Sequence, residues 1–156
     1  MTARVFVDTN VFVYNRDLSE KEKRPRAGEW LAYLWGKRSG RLSMQVLQEF
    51  YITVTEKLDP KIPRVSVRQD IRDLMAWRPI MADAKLVESA WDFQDRFKIA
   101  WWDSLIVAAA HAAHCRYILT EDFQDGQVFD KLTIVNPFRH DPNSILESEE
   151  QSQIPH

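Results

Sequence analysis

Apolar and polar positions along this chain follow two periods. Val5, Phe6 and Val7 form an unbroken run of β-prone residues, the pattern of a strand buried on both faces. Tyr117-Ile118-Leu119-Thr120 repeats the pattern, and Leu132 to Val135 is a last run of the same kind. Leu42 to Met44 and Arg78 to Met81 predict two shorter strands. Between these runs the apolar residues recur at helical spacing. Trp30, Leu31, Leu34 and Trp35 predict a helix from Pro25 to Gly40, with Gly40 as its stop. Val46, Leu47, Phe50 and Val54 predict a second over Gln45 to Lys57, ended by Asp59-Pro60. A third carries Val67, Ile71, Leu74 and Met75 behind a Ser66 cap. A fourth, capped by Asp83 and reaching Lys98, turns Leu86, Val87, Ala90, Trp91, Phe93 and Phe97 inward. Leu105 to His114, with alanines at 108, 109, 110 and 112, suits a tightly packed central helix. Strands alternating with helices predict an α/β fold with a mainly parallel sheet.

The pattern fades after Phe138. Asp141, Glu147, Glu149 and Glu150 dominate a polar stretch with few apolar anchors, so residues 139–156 are expected to form a mobile tail behind a domain of 1–138. Composition adds limits. A chain of 156 residues suffices for one domain that buries about 70% of its unfolded surface. With 21 basic and 23 acidic residues the formal net charge is −2, so a nucleic-acid partner has to be met by a local basic patch. Lys21, Lys23, Arg24 and Arg26, then Lys37, Arg38 and Arg41, bracket the first long helix, either as solvated faces or as phosphate contacts. The single cysteine, Cys115, excludes an internal disulfide framework. No apolar stretch approaches the roughly 20 residues that span a bilayer, and no signal-peptide pattern precedes the first strand; a cytoplasmic protein without membrane contact is expected.

Four carboxylates stand out by context. An ionised Asp8 at the mouth of a buried strand is costly unless a cation or strong donors compensate it. It reads equally as a metal ligand or as a strand-end turn residue. Glu49, beside Phe50 on a helix flank, could be a solvated position, and Asp103 and Asp122 could be helix caps. Together they fit one arrangement. Parallel strands share an edge, so Asp8 and Asp122 lie close if their strands are neighbours, and the helix opening at Asp103 faces the same edge. Four converging carboxylates repel one another unless divalent cations neutralise them, and oxygen-only ligands select hard cations, Mg²⁺ or Mn²⁺.

In that arrangement the chain resembles the PIN-domain ribonucleases, and within them the VapC-type toxins of bacterial toxin–antitoxin pairs. The matching pieces are VFVDTNVFVY near the N-terminus, LQEF around Glu49, WWDSLIVAAA around Asp103, ILTEDFQDG around Asp122 and the closing IVNPF. Their order holds from Ala3 to Phe138. The resemblance implies a three-layer α/β/α fold around a mainly parallel sheet of four to five strands. It implies a metal-dependent endoribonuclease that hydrolyses RNA phosphodiesters, leaving a 5′-phosphate and a 3′-hydroxyl. Asp8, Glu49, Asp103 and Asp122 match the family's metal-binding, catalytic acids, with Mg²⁺ or Mn²⁺ as cofactor; Asn10 and Thr120 match supporting polar positions. A toxin of this kind inhibits translation, binds a small cognate antitoxin and forms a homodimer. A housekeeping RNA-processing PIN nuclease, or a non-catalytic RNA- or partner-binding module, is the alternative. The non-catalytic module predicts the loss of at least one acid, and none is lost.

Competing chemistries find less. Phosphatases that work through a strand-end Asp want a second Asp two residues on, where this chain has Asn10. Receiver domains want an acidic pair that is absent. His111 and His114 stand three apart beside Cys115 without a further ligand, a poor zinc site, and His140 and His156 lie in the tail. Trp30 and Trp35 admit two readings, as core residues or as a docking surface.

Overall fold

Strands form where unbroken apolar runs leave no polar face to expose. The computed structural model describes residues 2–147. β1 (Val5–Val7), β3 (Tyr117–Leu119) and β5 (Leu132–Val135) are the runs read from the sequence, and all of β1 and β3 is buried. β2 (Gly40–Arg41) and β4 (Val128–Phe129) complete one sheet in the order β2-β1-β3-β5-β4. Every pairing is parallel except β4 against β5. Val7 sits opposite Leu119, and Leu119 opposite Val135, so the strands finish level and the residues after them share one edge.

Helices cover both faces of the sheet in a three-layer α/β/α arrangement. α1 (Thr9–Arg16) packs on α2 (Lys23–Lys37) and on α3 (Met44–Ile52), which continues as a wider turn over Thr53–Lys57. α4 (Arg64–Leu74) runs into a tight turn at Met75–Trp77. α5 (Ala84–Phe97) lies along α6 (Trp101–Ala112), which packs on β3 and β5. Local chemistry sets these bounds. The Ser43 hydroxyl accepts from the Val46 amide at the start of α3, and the Asp83 carboxylate accepts from the Leu86 amide at the start of α5. Ser104, Ala108, Ala109 and Ala110 are buried on α6, where small side chains let its backbone approach the sheet. Each large apolar side chain sealed here, such as Phe6 or Ile118, contributes roughly 1.5–3 kcal/mol. No helix among the described residues is long and apolar enough to cross a membrane.

Several local expectations are corrected. α2 ends at Lys37, and Arg38, not glycine, takes the left-handed cap with φ 55°. Gly40 belongs to β2, two residues before the expected strand, and a Cβ there would sit 2.4 Å from the Trp77 ring. Pro63 stands at the cap of α4; Ser66 lies inside its first turn, where its hydroxyl accepts from Arg16. Arg78 to Met81 makes only a single bridge, Ile80 to Ser43. Trp91 faces out at 53% exposed, because α5 buries Leu86, Ala90 and Phe93 instead. α1 and β4 had no counterpart in the expected pattern. Trp30 is core, its indole N–H donating to the Pro137 and His140 carbonyls, while Trp35 remains 41% exposed.

The chain also does not leave the domain at Phe138. His140 Nε2 lies 2.8 Å from Asp125 Oδ2, and Leu146 is 3% exposed against the core. Residues 139–147 therefore pack on the fold, anchored by the few apolar side chains they have. The rest of the expected tail, 148–156, lies outside the described residues.

Candidate functional site

The shared sheet edge carries the acids. β1 ends on Asp8, whose backbone still pairs with the neighbouring strand through its N–H to the Leu119 carbonyl at 3.0 Å. Asp8 is also the cap of α1, its Oδ1 accepting from the Thr9 amide at 2.8 Å, and it is only 6% exposed. The reading of Asp8 as a residue that turns the chain after the strand is thereby realised. Oδ2 accepts from the Thr120 hydroxyl at 2.8 Å.

Thr120, directly after β3, organises the middle of the edge. Its oxygen donates to Asp8 and accepts from Asn10 Nδ2 at 2.9 Å and from the Asp122 amide at 3.1 Å. One proton and two lone pairs are all a hydroxyl has, so its proton is committed to Asp8 Oδ2. Asn10 donates its second amide proton to Asp122 Oδ2 at 3.0 Å. That chain of bonds ties β1, α1 and the turn after β3 into one unit and brings Asn10 and Thr120, between them, against both Asp8 and Asp122.

Glu49 reaches the same edge from α3. Thr9 Oγ1 donates to its Oε2 at 2.7 Å, and Gln45 Nε2, one helical turn earlier, donates to its Oε1 at 3.1 Å. Asp103 stands in the first turn of α6, but the cap is Ala100, so its expected alternative as a helix cap is not realised. Asp122 lies in an irregular turn after β3 and caps no helix. Thr9 and Gln45 escaped the sequence reading. The i, i+4 spacing of Gln45 and Glu49 is the signal that could have found the second; Thr9 carries none beyond its place after Asp8. Beside the site, Glu121 accepts from Tyr14 and pairs with Lys23 at 2.9 Å, and Lys23 lies over the Tyr14 ring.

Asp8 and Asp103 both feel the charges of Asp122 and Glu49. Burial pushes the Asp8 pKa up to about 6, against the lowering hydrogen bonds from Thr9 and Thr120, and the charges of Asp122 and Glu49 add to the rise. Burial, then Asp122 and Glu49, also raise Asp103. No Lys or Arg among the described residues pairs with any of the four. Nor do three or more of them close into a ready-made metal cage. Both Glu49 oxygens are held by neighbours, which is one physical reason. An all-oxygen donor set with this much uncompensated charge nevertheless suits a hard divalent cation. Cys115 offers no rival chemistry, since burial pushes its thiol up to about 12.

Comparison with known proteins agrees with the fold. A family model described as the PIN domain matches residues 5–131. No curated protein matches the chain. Among solved structures, a toxin–antitoxin complex from Klebsiella pneumoniae superposes with a TM-score of 0.62 at 15% identity, covering 85% of this chain and 97% of that one. VapC20 of Mycobacterium tuberculosis, a toxin described as cleaving the sarcin–ricin loop, gives 0.54 at 17% identity, covering 73% and 86%. VapBC2 of Rickettsia felis, bound to a DNA fragment from its promoter, gives 0.55 at 16% identity, covering 83% and 96%. At such identities the likeness is one of fold.

Proposed function

The chain belongs to the PIN domain family, and from that premise we propose that it is a divalent-cation-dependent endoribonuclease, the toxin of a VapBC-type pair. The observation that carries the proposal is the edge itself. Asp8 is buried without a cationic partner, coupled to Asp122 and Glu49, and followed by hydrogen bonds that hold the carboxylates instead of neutralising them. A protein gains nothing in stability from such an arrangement. An enzyme that binds Mg²⁺ or Mn²⁺ needs it.

Asp8, Glu49, Asp103 and Asp122 would hold the cation, which when bound supplies Lewis-acid stabilisation of the phosphoryl oxygens and of the departing 3′-oxygen. The protein's own part is orientation. Thr120 directs its proton to Asp8 Oδ2 and the Thr9 amide bonds Oδ1, which fixes the plane of that carboxylate and leaves it its charge. Asn10 fixes Asp122, and Thr9 with Gln45 fixes Glu49. Fixing the acids in advance spares their reorganisation at the moment of reaction.

The test is direct. The purified protein should cleave RNA with Mg²⁺ or Mn²⁺ and stop in EDTA, and Asp103→Asn should abolish cleavage while far-UV circular dichroism is kept. Cleavage that persists in EDTA overturns the proposal. As a toxin acting in the cytoplasm, the protein should arrest growth and translation when expressed in bacteria, with relief by the product of an adjacent short reading frame. We further assign it a homodimeric state, checked by light scattering. Arrest without any relieving partner favours a housekeeping nuclease.

A further inference from the structure

The two flanks of the carboxylate edge differ in chemistry. On one flank, facing the start of α3, Trp102 projects from the first turn of α6, beside Asp103, with 64% of its surface exposed. No other ring stacks on it among the described residues. It walls a groove of about 450 Å³ whose other sides include Ile52, Met81, Leu105, Gln48 and Glu49 itself. The groove is therefore continuous with the acid site and mostly apolar, with an amide at its rim. On the other flank, Lys23 pairs with Glu121, the neighbour of Asp122, which brings the start of α2 against the turn that follows β3. Lys21 and Arg24 flank Lys23 there and are exposed.

We propose that a single RNA strand crosses the carboxylate edge between these flanks, one base stacked on Trp102 and the phosphates on the far side met by Lys21 and Arg24. The inference rests on the ribonuclease reading and adds the side chains that hold the strand on either side of the acids. Stacking on an exposed indole needs an unpaired base, since a duplex hides the base faces. An acidic centre needs cationic contacts outside it to retain a polyanion. Opposite flanks of one edge supply one of each, and Glu49 joins the apolar flank to the acids.

Binding and cleavage are read separately. In an Asp103→Asn background, anisotropy of a labelled single-stranded RNA oligonucleotide should give a Kd that Trp102→Ala weakens about 5- to 100-fold, the worth of one base–aromatic stack. Trp102→Phe should retain most of the affinity. Lys21→Ala with Arg24→Ala should flatten the salt dependence by roughly 1.4 in log–log slope, about 0.7 for each phosphate contact on a single strand. A duplex of the same sequence should bind more weakly and ignore Trp102→Ala. These positions are exposed, so the variants should melt with the parent. An unchanged Kd for Trp102→Ala overturns the inference, as does a variant that only converts a dimer to a monomer, which would make the groove a protein interface. If the unmodified protein cleaves RNA while the Trp102 variants bind normally, the ribonuclease reading stands and this inference alone fails. Absence of cleavage by the unmodified protein would instead remove the reading.

Discussion

Two groups of acids in this chain live under opposite electrostatics. At the corner between α5 and β5, Arg96 holds Asp130 through two hydrogen bonds of 2.7 and 2.8 Å and Asp92 through a third of 2.9 Å. The bond from Arg96 keeps the Asp130 carboxyl below its usual range. At the sheet edge, Asp8 has only neutral donors and two acidic neighbours, and its pKa moves the other way. One corner satisfies its charges from within the chain. The other leaves them for something that the chain does not contain. That asymmetry, more than the number of acids, separates a candidate site from a solvated surface.

If the asymmetry is functional, changes at the edge should cost activity far beyond their effect on folding. After the abolition expected for Asp103→Asn, Glu49→Gln should show the next largest loss, at least about 100-fold in RNA cleavage, since it removes a charge where removing a mere supporting partner costs 10–100-fold. The amide keeps the size of the side chain, so the melting temperature should stay near that of the parent. Thr120→Val should come next, with a 10–100-fold loss of activity or of Mg²⁺ affinity by calorimetry. It deletes the one group bonded to Asp8, Asn10 and Asp122 together. Full activity in either variant would place the chemistry elsewhere.

The fold was legible where one element decides its own structure. Continuous apolar runs gave β1, β3 and β5, and Asp83 announced α5 by the cap it forms. The convergence of Asp8 and Asp122 was legible only on a condition, that their strands are neighbours, because parallel strand ends share an edge; β1 and β3 do pair. Distant contacts were not. Gly40 looked like a helix stop because glycine commonly fills the left-handed cap, yet it is small because Trp77 packs on it. β4 is two residues long and exists by pairing with β5, which no local period signals. Trp91 looked inward-facing by hydrophobicity, although α5 was already filled along Leu86, Ala90 and Phe93. Thr9 and Gln45 matter through Glu49, a partner 40 residues away for the first.

Stability should show the asymmetry with a smaller amplitude and an opposite sign. An acid whose pKa is raised on folding, as Asp8 is from 3.8 to about 6, stabilises the fold least when it is ionised. Sign follows from proton counts. Below pH 3.8 the group is protonated in both states and costs nothing. As pH rises through 6 the folded state loses stability relative to the unfolded one, up to about 3 kcal/mol for a shift of about two units. In EDTA, Asp8→Asn should therefore be more stable than the parent at pH 7, by on the order of 1–3 kcal/mol, less whatever the amide forfeits toward Thr120. The advantage should shrink between pH 6 and 4 in urea unfolding. Mg²⁺ at pH 7 should raise the melting temperature of the parent and not of the variant. A variant less stable at pH 7 without metal would mean that the neutral donors around Asp8 outweigh its burial.

The smallest effect belongs to the satisfied corner. Arg96→Ala removes both carboxylate contacts from a solvent-exposed guanidinium, where water and salt screen the charges it leaves behind. RNA cleavage should remain at the level of the unmodified protein, with the melting temperature only slightly lowered and that difference fading in high salt. This variant is the control for the comparison, since it removes a guanidinium held by three carboxylate bonds at the Asp92 and Asp130 corner and bonded to none of the four acids. If it reduced cleavage as much as Thr120→Val, the loss of activity at the edge could be assigned to general loosening of the fold, and the contrast between paired and unpaired acids would no longer identify the site.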